Sequence, residues 1–227
     1  MLTVPGLCWL CRMPLMMSRW GVCSVCTRSF HTHRPCCPQC GLPAMSMKMP
    51  CGRCLQHPPP WRALVAVDDY APPLSGLIHK LKFTGQSQLA WPLARLLVLA
   101  VLHARRSRAL PKVDLIINVP LHSRRHWRRG YNQSDLLCRP LAHWLGCAYF
   151  SGALTRVHAT AVQHQLNARL RKRNLKNAFH LELSVKGRHI AIVDDVVTTG
   201  STVAELSRLL LQSGAASVQV WCLCRTL

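Results

Sequence analysis

The run Ile190 to Thr202, IAIVDDVVTTGST, joins three features that together could do chemistry. An apolar stretch leads into two adjacent carboxylates, Asp194 and Asp195, and these lead into a short loop of Thr198, Thr199, Gly200, Ser201 and Thr202. Small hydroxyl residues at the opening of a helix offer unpaired backbone N–H groups and the positive end of the helix dipole, which together hold a phosphate dianion. Gly200 permits positive φ and close backbone approach, and the hydroxyls add donors. Ionised carboxylates only accept hydrogen bonds, so Asp194 and Asp195 suit a vicinal diol beside that phosphate, such as ribose hydroxyls, or the water shell of a metal. The chain has only 8 Asp and Glu, and two of them are adjacent here. An arbitrary Asp-Asp pair is more often a helix cap beside a surface acid; the whole string favours ligand binding.

A second chemistry lies near the N-terminus. Cys8-x2-Cys11 and Cys23-x2-Cys26 make one pair of knuckles, and Cys37-x2-Cys40 with Cys51-x2-Cys54 makes another. Each short turn presents two thiolates for tetrahedral coordination, and a second turn completes a closed, structural four-cysteine site. Two zinc ions is the simplest count, with consecutive and interleaved ligand pairing both open. Cys36 is left over beside Cys37, and His31, His33 and His57 are alternative ligands. A disulfide framework competes for the 13 cysteines. No secretory signal precedes them, because Arg12 comes early and Cys8 and Cys11 interrupt any apolar run, so metal in a reducing compartment is the better reading. Cys138, Cys147, Cys222 and Cys224 fall in helix or strand patterns and read as buried thiols.

The charge is strongly one-sided: 29 Lys and Arg against 8 acids, a formal net charge of +21. Such an excess attracts nucleic acid, anionic membrane or phosphorylated substrate without choosing among them. Trp9, Trp20 and Phe30 lie in the cysteine-rich stretch and serve either as base-stacking surfaces for single-stranded DNA or as that stretch's small core. The apolar run Leu96 to Leu102 is too short to span a bilayer, so a cytoplasmic protein without a membrane span is expected.

These residues need a scaffold. From Met1 to Pro60 there is no Asp or Glu, and His57-Pro58-Pro59-Pro60 can continue neither helix nor central strand. The expected organisation is therefore a metal-stapled module over 1–60 and an α/β domain over 61–227. Ala63 to Val67 reads as a strand, Leu74 to Phe83 as a helical region ending in Lys80-Leu81-Lys82, and Gln88 to Arg105 as a long helix presenting Trp91, Leu93, Leu96, Leu97 and Val101 to a core. Leu115 to Val119 is a buried strand stopped by Pro120, followed by a basic loop and a helix over Ser134 to Leu145. Ala148 to Phe150 is another short strand. Thr155 to Asn177 shows no strand period and reads as a mobile loop leading into helix. Ile190 to Val193 is a strand, Thr202 to Gln212 a helix closed by Gly214, and Val218 to Leu223 a last strand. Strands alternating with helices predict a parallel, helix-covered sheet.

The string Ile190 to Thr202 resembles the ribose-phosphate signature of type I phosphoribosyltransferases. With Leu115 to Asn132 (LIINVPLHSRRHWRRGYN), Gln163 to Phe179 (QHQLNARLRKRNLKNAF), Tyr70 to Phe83 (YAPPLSGLIHKLKF) and the cysteine head, essentially the whole chain resembles the ComF/GntX family, a phosphoribosyltransferase-like group linked to competence and the use of external DNA. The resemblance implies a type I phosphoribosyltransferase-like parallel sheet flanked by helices behind a double zinc ribbon. It also implies binding of Mg²⁺-complexed phosphoribosyl pyrophosphate or a related ribose 5-phosphate. Pro120, Leu121 and His122 with Arg124 and Arg125 match the pyrophosphate loop, where arginine forks or Mg²⁺ neutralise the leaving group. The same arginines, with Arg128 and Arg129, suit nucleic-acid phosphates equally well. Arg171 and Arg173 are placed to contact pyrophosphate from the closing loop. No residue announces a nucleobase pocket or a general base. Two functions stay open: a transferase-type protein in the uptake, processing or catabolic use of DNA, and a non-catalytic single-stranded DNA-binding part of a DNA translocation or processing machine. A nucleotide-responsive regulator is a third.

Overall fold

A computed structural model describes residues 6–30, 35–120, 131–156 and 178–226. Within them the strands β1 (Ala63–Asp69), β2 (Leu115–Asn118), β3 (Ala148–Tyr149), β4 (Leu154–Arg156), β5 (Phe179–Leu181), β6 (His189–Val197) and β7 (Ser217–Arg225) follow one another in the chain. Five of them make a parallel sheet in the order β1-β7-β6-β2-β3, and β4 and β5 form a separate antiparallel pair. Thr155 and Arg156 thus belong to a strand that the aperiodic, polar sequence did not signal; most of that expected loop lies outside the described residues.

The two central strands, β6 and β7, are apolar almost throughout because a parallel sheet buries both faces under helices. Among its described residues the cysteine-rich segment carries the short α-helices α1 (Ser24–Ser29) and α2 (Gly52–Gln56). On one face of the sheet lie α3 (Leu74–Phe83), α4 (Ala90–Arg108) and α5 (Gln133–Leu145), whose Leu77, Ile78, Leu93, Leu97, Leu137 and Leu141 share a core with Ala191 and Val193. On the other lies α6 (Ser201–Gln212), packing Val203, Leu206 and Leu210 against Ile190, Ile192 and Val220. β6 runs further than its apolar prefix predicts, through Asp194 and Asp195 to Val197, because β7 pairs with it all the way to Val197↔Arg225. The two aspartates therefore sit inside the strand rather than after it.

With the preceding turn, α4 spans Ser87–Arg108 and is long and apolar enough to cross a membrane, more than Leu96 to Leu102 alone indicated. Most of its apolar surface is buried in the core. Trp91 departs from the expected core set: it is 45% exposed and meets Trp144 of α5 edge-on at 5.0 Å.

The cysteine-rich segment rests on the sheet domain. Cys8, Leu15, Val22 and Phe30 join the core of α4, and Arg95 donates to the Val22 carbonyl at 3.1 Å while lying over the Trp20 ring. Phe30 is 2% exposed, so it is core and not a stacking surface.

Candidate functional site

The loop of residues 198–202 forms where β6 ends and α6 begins. Gly200 stands in the left-handed region at φ 77°, which turns the chain into the helix. A Cβ there would lie 3.2 Å from Cη2 of Trp61, so both conformation and space select glycine. Thr199 Oγ1 and Ser201 Oγ are 3.0 Å apart, and the Ser201 amide approaches Thr199 Oγ1 at 3.4 Å. A cleft of about 50 Å³ is lined by Asp194, Val196, Val197 and all five loop residues, Thr198, Thr199, Gly200, Ser201 and Thr202. The fold thus brings Asp194 and the helix N-terminus to a single concavity.

The two aspartates differ sharply. Asp195 is 8% exposed and pairs with Lys82 Nζ of α3 at 2.8 Å. Asp194 faces the cleft; its Oδ1 accepts from the Asp195 amide at 2.8 Å and from Ser134 Oγ at the start of α5 at 3.3 Å. Burial, and then the neighbouring Asp195 charge, push the Asp194 carboxyl up to about 7 against the pull of Lys82. Lys82 and Ser134 were not singled out from the sequence as site residues. Lys82 was visible only as part of the basic end of a helix, and nothing in its spacing says that β6 lies opposite.

At the base of the basic loop, Pro120 is partly buried; Leu121, His122, Arg124 and Arg125 lie outside the described residues, as do Arg128, Arg129, Arg171, Arg173, His31 and His33. The flanks are firmly held. Asn132 accepts from the Ser134 amide at 3.0 Å, capping α5, and donates to the Val119 carbonyl at 3.1 Å. Tyr131 donates to the Leu81 carbonyl at 2.5 Å. The Tyr149 hydroxyl lies against the Asp135 carboxylate and 3.2 Å from Asn118 Oδ1, a half-buried setting that raises its pKa through burial and that carboxylate.

The cysteines gather as two consecutive sets, Cys8, Cys11, Cys23 and Cys26, and Cys37, Cys40, Cys51 and Cys54, each with its sulfurs within 4.8 Å of one another. The sets repeat one geometry. Antiparallel bridges Leu7↔Pro14 and Cys36↔Pro43 close equivalent turns, and the Cys23 and Cys51 amides donate to Cys8 Sγ and Cys37 Sγ at 3.4 and 3.3 Å. Burial opposes ionisation, yet backbone amides bring Cys8 down to about 6 and Cys37 to about 7; Cys26 and Cys54 are pushed up by burial and by their neighbouring sulfurs. Four thiols this close cannot all ionise without a shared cation, and four soft donors with N–H···S bonds fit zinc. Cys36 is outside both sets, and Cys138, Cys222 and Cys224 are buried.

Comparison with known proteins gives these features a family. Residues 141–227 match the phosphoribosyl transferase domain family. The chain is 70% identical over 227 residues to the DNA utilization protein YhgH of Salmonella typhi, covering all of both chains. It is 42% identical over 221 residues to competence protein F of Haemophilus influenzae, covering 96% of each. A solved structure of Trypanosoma cruzi hypoxanthine phosphoribosyl transferase aligns at 17% identity and TM-score 0.39 over 59% of this chain and 63% of that one. With near end-to-end alignment to these relatives, a match to the phosphoribosyl transferase domain and two four-cysteine groups, the chain belongs to the ComF-like phosphoribosyltransferase family.

Proposed function

We propose that this protein binds a ribose 5-phosphate group, with Mg²⁺-complexed phosphoribosyl pyrophosphate as the foremost ligand, in a pathway that uses external DNA. One observation carries the reading: Asp194 and the loop 198–202 line a single cleft. A phosphate seated on the loop would place the adjoining sugar's hydroxyls towards Asp194, which only accepts when ionised. A carboxyl held near 7 can also exchange a proton at neutral pH, which a simple hydroxyl acceptor does not require. The names of the similar proteins support the DNA connection, and zinc in both four-cysteine groups would be structural. Calorimetric titration of the zinc-loaded protein with phosphoribosyl pyrophosphate, with and without Mg²⁺, tests this. Mg²⁺-dependent binding should be lost in the double variant Asp194→Asn, Asp195→Asn; a folded wild-type protein that binds none would end the proposal.

A second reading, single-stranded DNA binding as part of a DNA translocation or processing machine, draws on a different surface. Trp9, Trp91, Arg12 and Arg19 line one open groove of about 770 Å³, and Lys80 lies 6.0 Å from the Trp9 ring centre. Aromatic faces beside cations suit stacked bases and phosphates. Affinity for an oligothymidylate should fall steeply as salt rises and drop on Trp91→Ala; a salt-independent affinity argues against phosphate contacts.

A further inference from the structure

We propose that Trp61 and Arg225 are positioning residues for the anion loop, and that through them the second cysteine cluster and its metal set the geometry of residues 198–200. The proposal rests on the reading of that loop as the ribose-phosphate site.

Two contacts run in parallel from neighbouring carbonyls of the Cys37-x2-Cys40 turn to the loop. In the first, Trp61 donates its indole N–H to the Gln39 carbonyl at 2.6 Å, and its ring edge packs on Gly200. In the second, Arg225 Nε donates to the Cys40 carbonyl at 2.9 Å while its Nη1 reaches the carbonyls of Val197, at 3.0 Å, and of Thr198. Both side chains are buried, at 7% exposure each. The turn itself is seated on β1: the Leu64 amide donates to the Pro38 carbonyl at 3.1 Å, and a Cβ on Gly41, at φ 71°, would lie 2.5 Å from Leu64 Cδ2.

The consequence for the loop follows from peptide geometry. In a planar trans peptide the C=O and N–H point in opposite directions, so drawing the Thr198 carbonyl inward to Arg225 turns the Thr199 N–H away from it, outward. Arg225 pairs with no carboxylate among the described residues; its charge lies beside the Cys40 and Cys54 sulfurs, so it ties the cluster to the loop carbonyls. The Gln39 and Cys40 carbonyls belong to the Cys37-x2-Cys40 turn, which an ion shared by its two thiolates would hold in shape, and loss of that ion would free both acceptors together. The first cluster has a different attachment, through the Val22 carbonyl to Arg95 of α4.

The test compares the zinc-loaded full chain with Cys26→Ser, Cys54→Ser, Trp61→Phe and Arg225→Lys, each checked by thermal unfolding. It reads amide hydrogen exchange over residues 198–202 and affinity for Mg²⁺-phosphoribosyl pyrophosphate. Coupling between sites commonly amounts to about 5- to 150-fold, and roughly tenfold faster loop exchange with roughly tenfold weaker binding is expected for Cys54→Ser but not for Cys26→Ser. Trp61→Phe and Arg225→Lys should show faster loop exchange while retaining both zinc ions. Equal effects of the two cysteine variants, or unchanged loop exchange in both Trp61→Phe and Arg225→Lys, would overturn the proposal. Should Cys54→Ser not fold, the latter pair decides alone. Loop exchange that responds as expected in a wild-type protein that binds no ribose phosphate would uphold the linkage and end the ligand assignment.

Discussion

Asp194 and Asp195 are chemically equal neighbours, and their surroundings make them different. Asp195 has a lysine at 2.8 Å, whereas Asp194 has burial, a hydroxyl and the charge of Asp195. A folded-state pKa raised from 3.8 to about 7 means that the native protein holds a proton which the unfolded chain has released over that interval. Stability contributed by that proton is therefore present at pH below about 4 and declines as pH rises towards 7. Asp194→Asn should remove this slope, so that the difference in unfolding free energy between variant and wild type grows in the variant's favour from pH 4 to 7. Denaturant titrations across that range check it, and a constant difference would contradict the assignment. Lys82→Met leaves Asp195 without its cation; breaking a mostly buried pair from one side should destabilise by about 3 kcal/mol, measured by the same titrations.

At the level of elements, the site is the meeting of three segment ends: the second half of β6, the first turn of α6 and the last turn of α3. Gly200 is the hinge of this arrangement. Gly200→Ala must accept a left-handed conformation, at about 1–2 kcal/mol, and must also displace the Trp61 ring. The expected outcome is a modest fall in melting temperature with a larger fall in ribose-phosphate affinity, because the strain falls on the loop rather than on the core. Helix α4 answers to a different rule. Leu97 is fully buried at its centre, and Leu97→Ala should lower stability by about 2–5 kcal/mol without altering the affinity of whatever folded protein remains, as unfolding and calorimetry together would show.

Across the whole molecule, the cysteine-rich head and the sheet are joined through apolar packing and the Val22 carbonyl at the first cluster and through the Gln39 and Cys40 carbonyls at the second. Cys8, Leu15, Val22 and Phe30 share the core of α4, so metal loss there should reach the body of the protein. A strong chelator is expected to lower the melting temperature of the entire chain in one transition, with two zinc ions released per chain by an indicator assay. An unchanged main transition would mean that the head melts alone. The net charge of +21 acts at this scale too, raising local anion concentration around every basic surface, which is why salt dependence by itself reports phosphate contact and not its location.

Much of this was legible in the residues alone, because the relevant physics is local. Paired Cys-x2-Cys turns, small residues at a helix start and apolar runs for buried parallel strands are all short-range patterns that a linear string preserves. Asp194 and the loop 198–202 were visible for that reason, as were β1, α4, β2 and β7. What the chain could not display were pairings across long separations: Lys82 with Asp195, Ser134 with Asp194, Trp61 and Arg225 with Gln39 and Cys40. Nor did hydropathy show that β6 continues through two acids, since only the facing β7 makes that extended stretch stable. Such contacts depend on which side chains the sheet order and helix packing bring within about 3 Å, a distance at which hydrogen bonds form and which sequence separation does not encode.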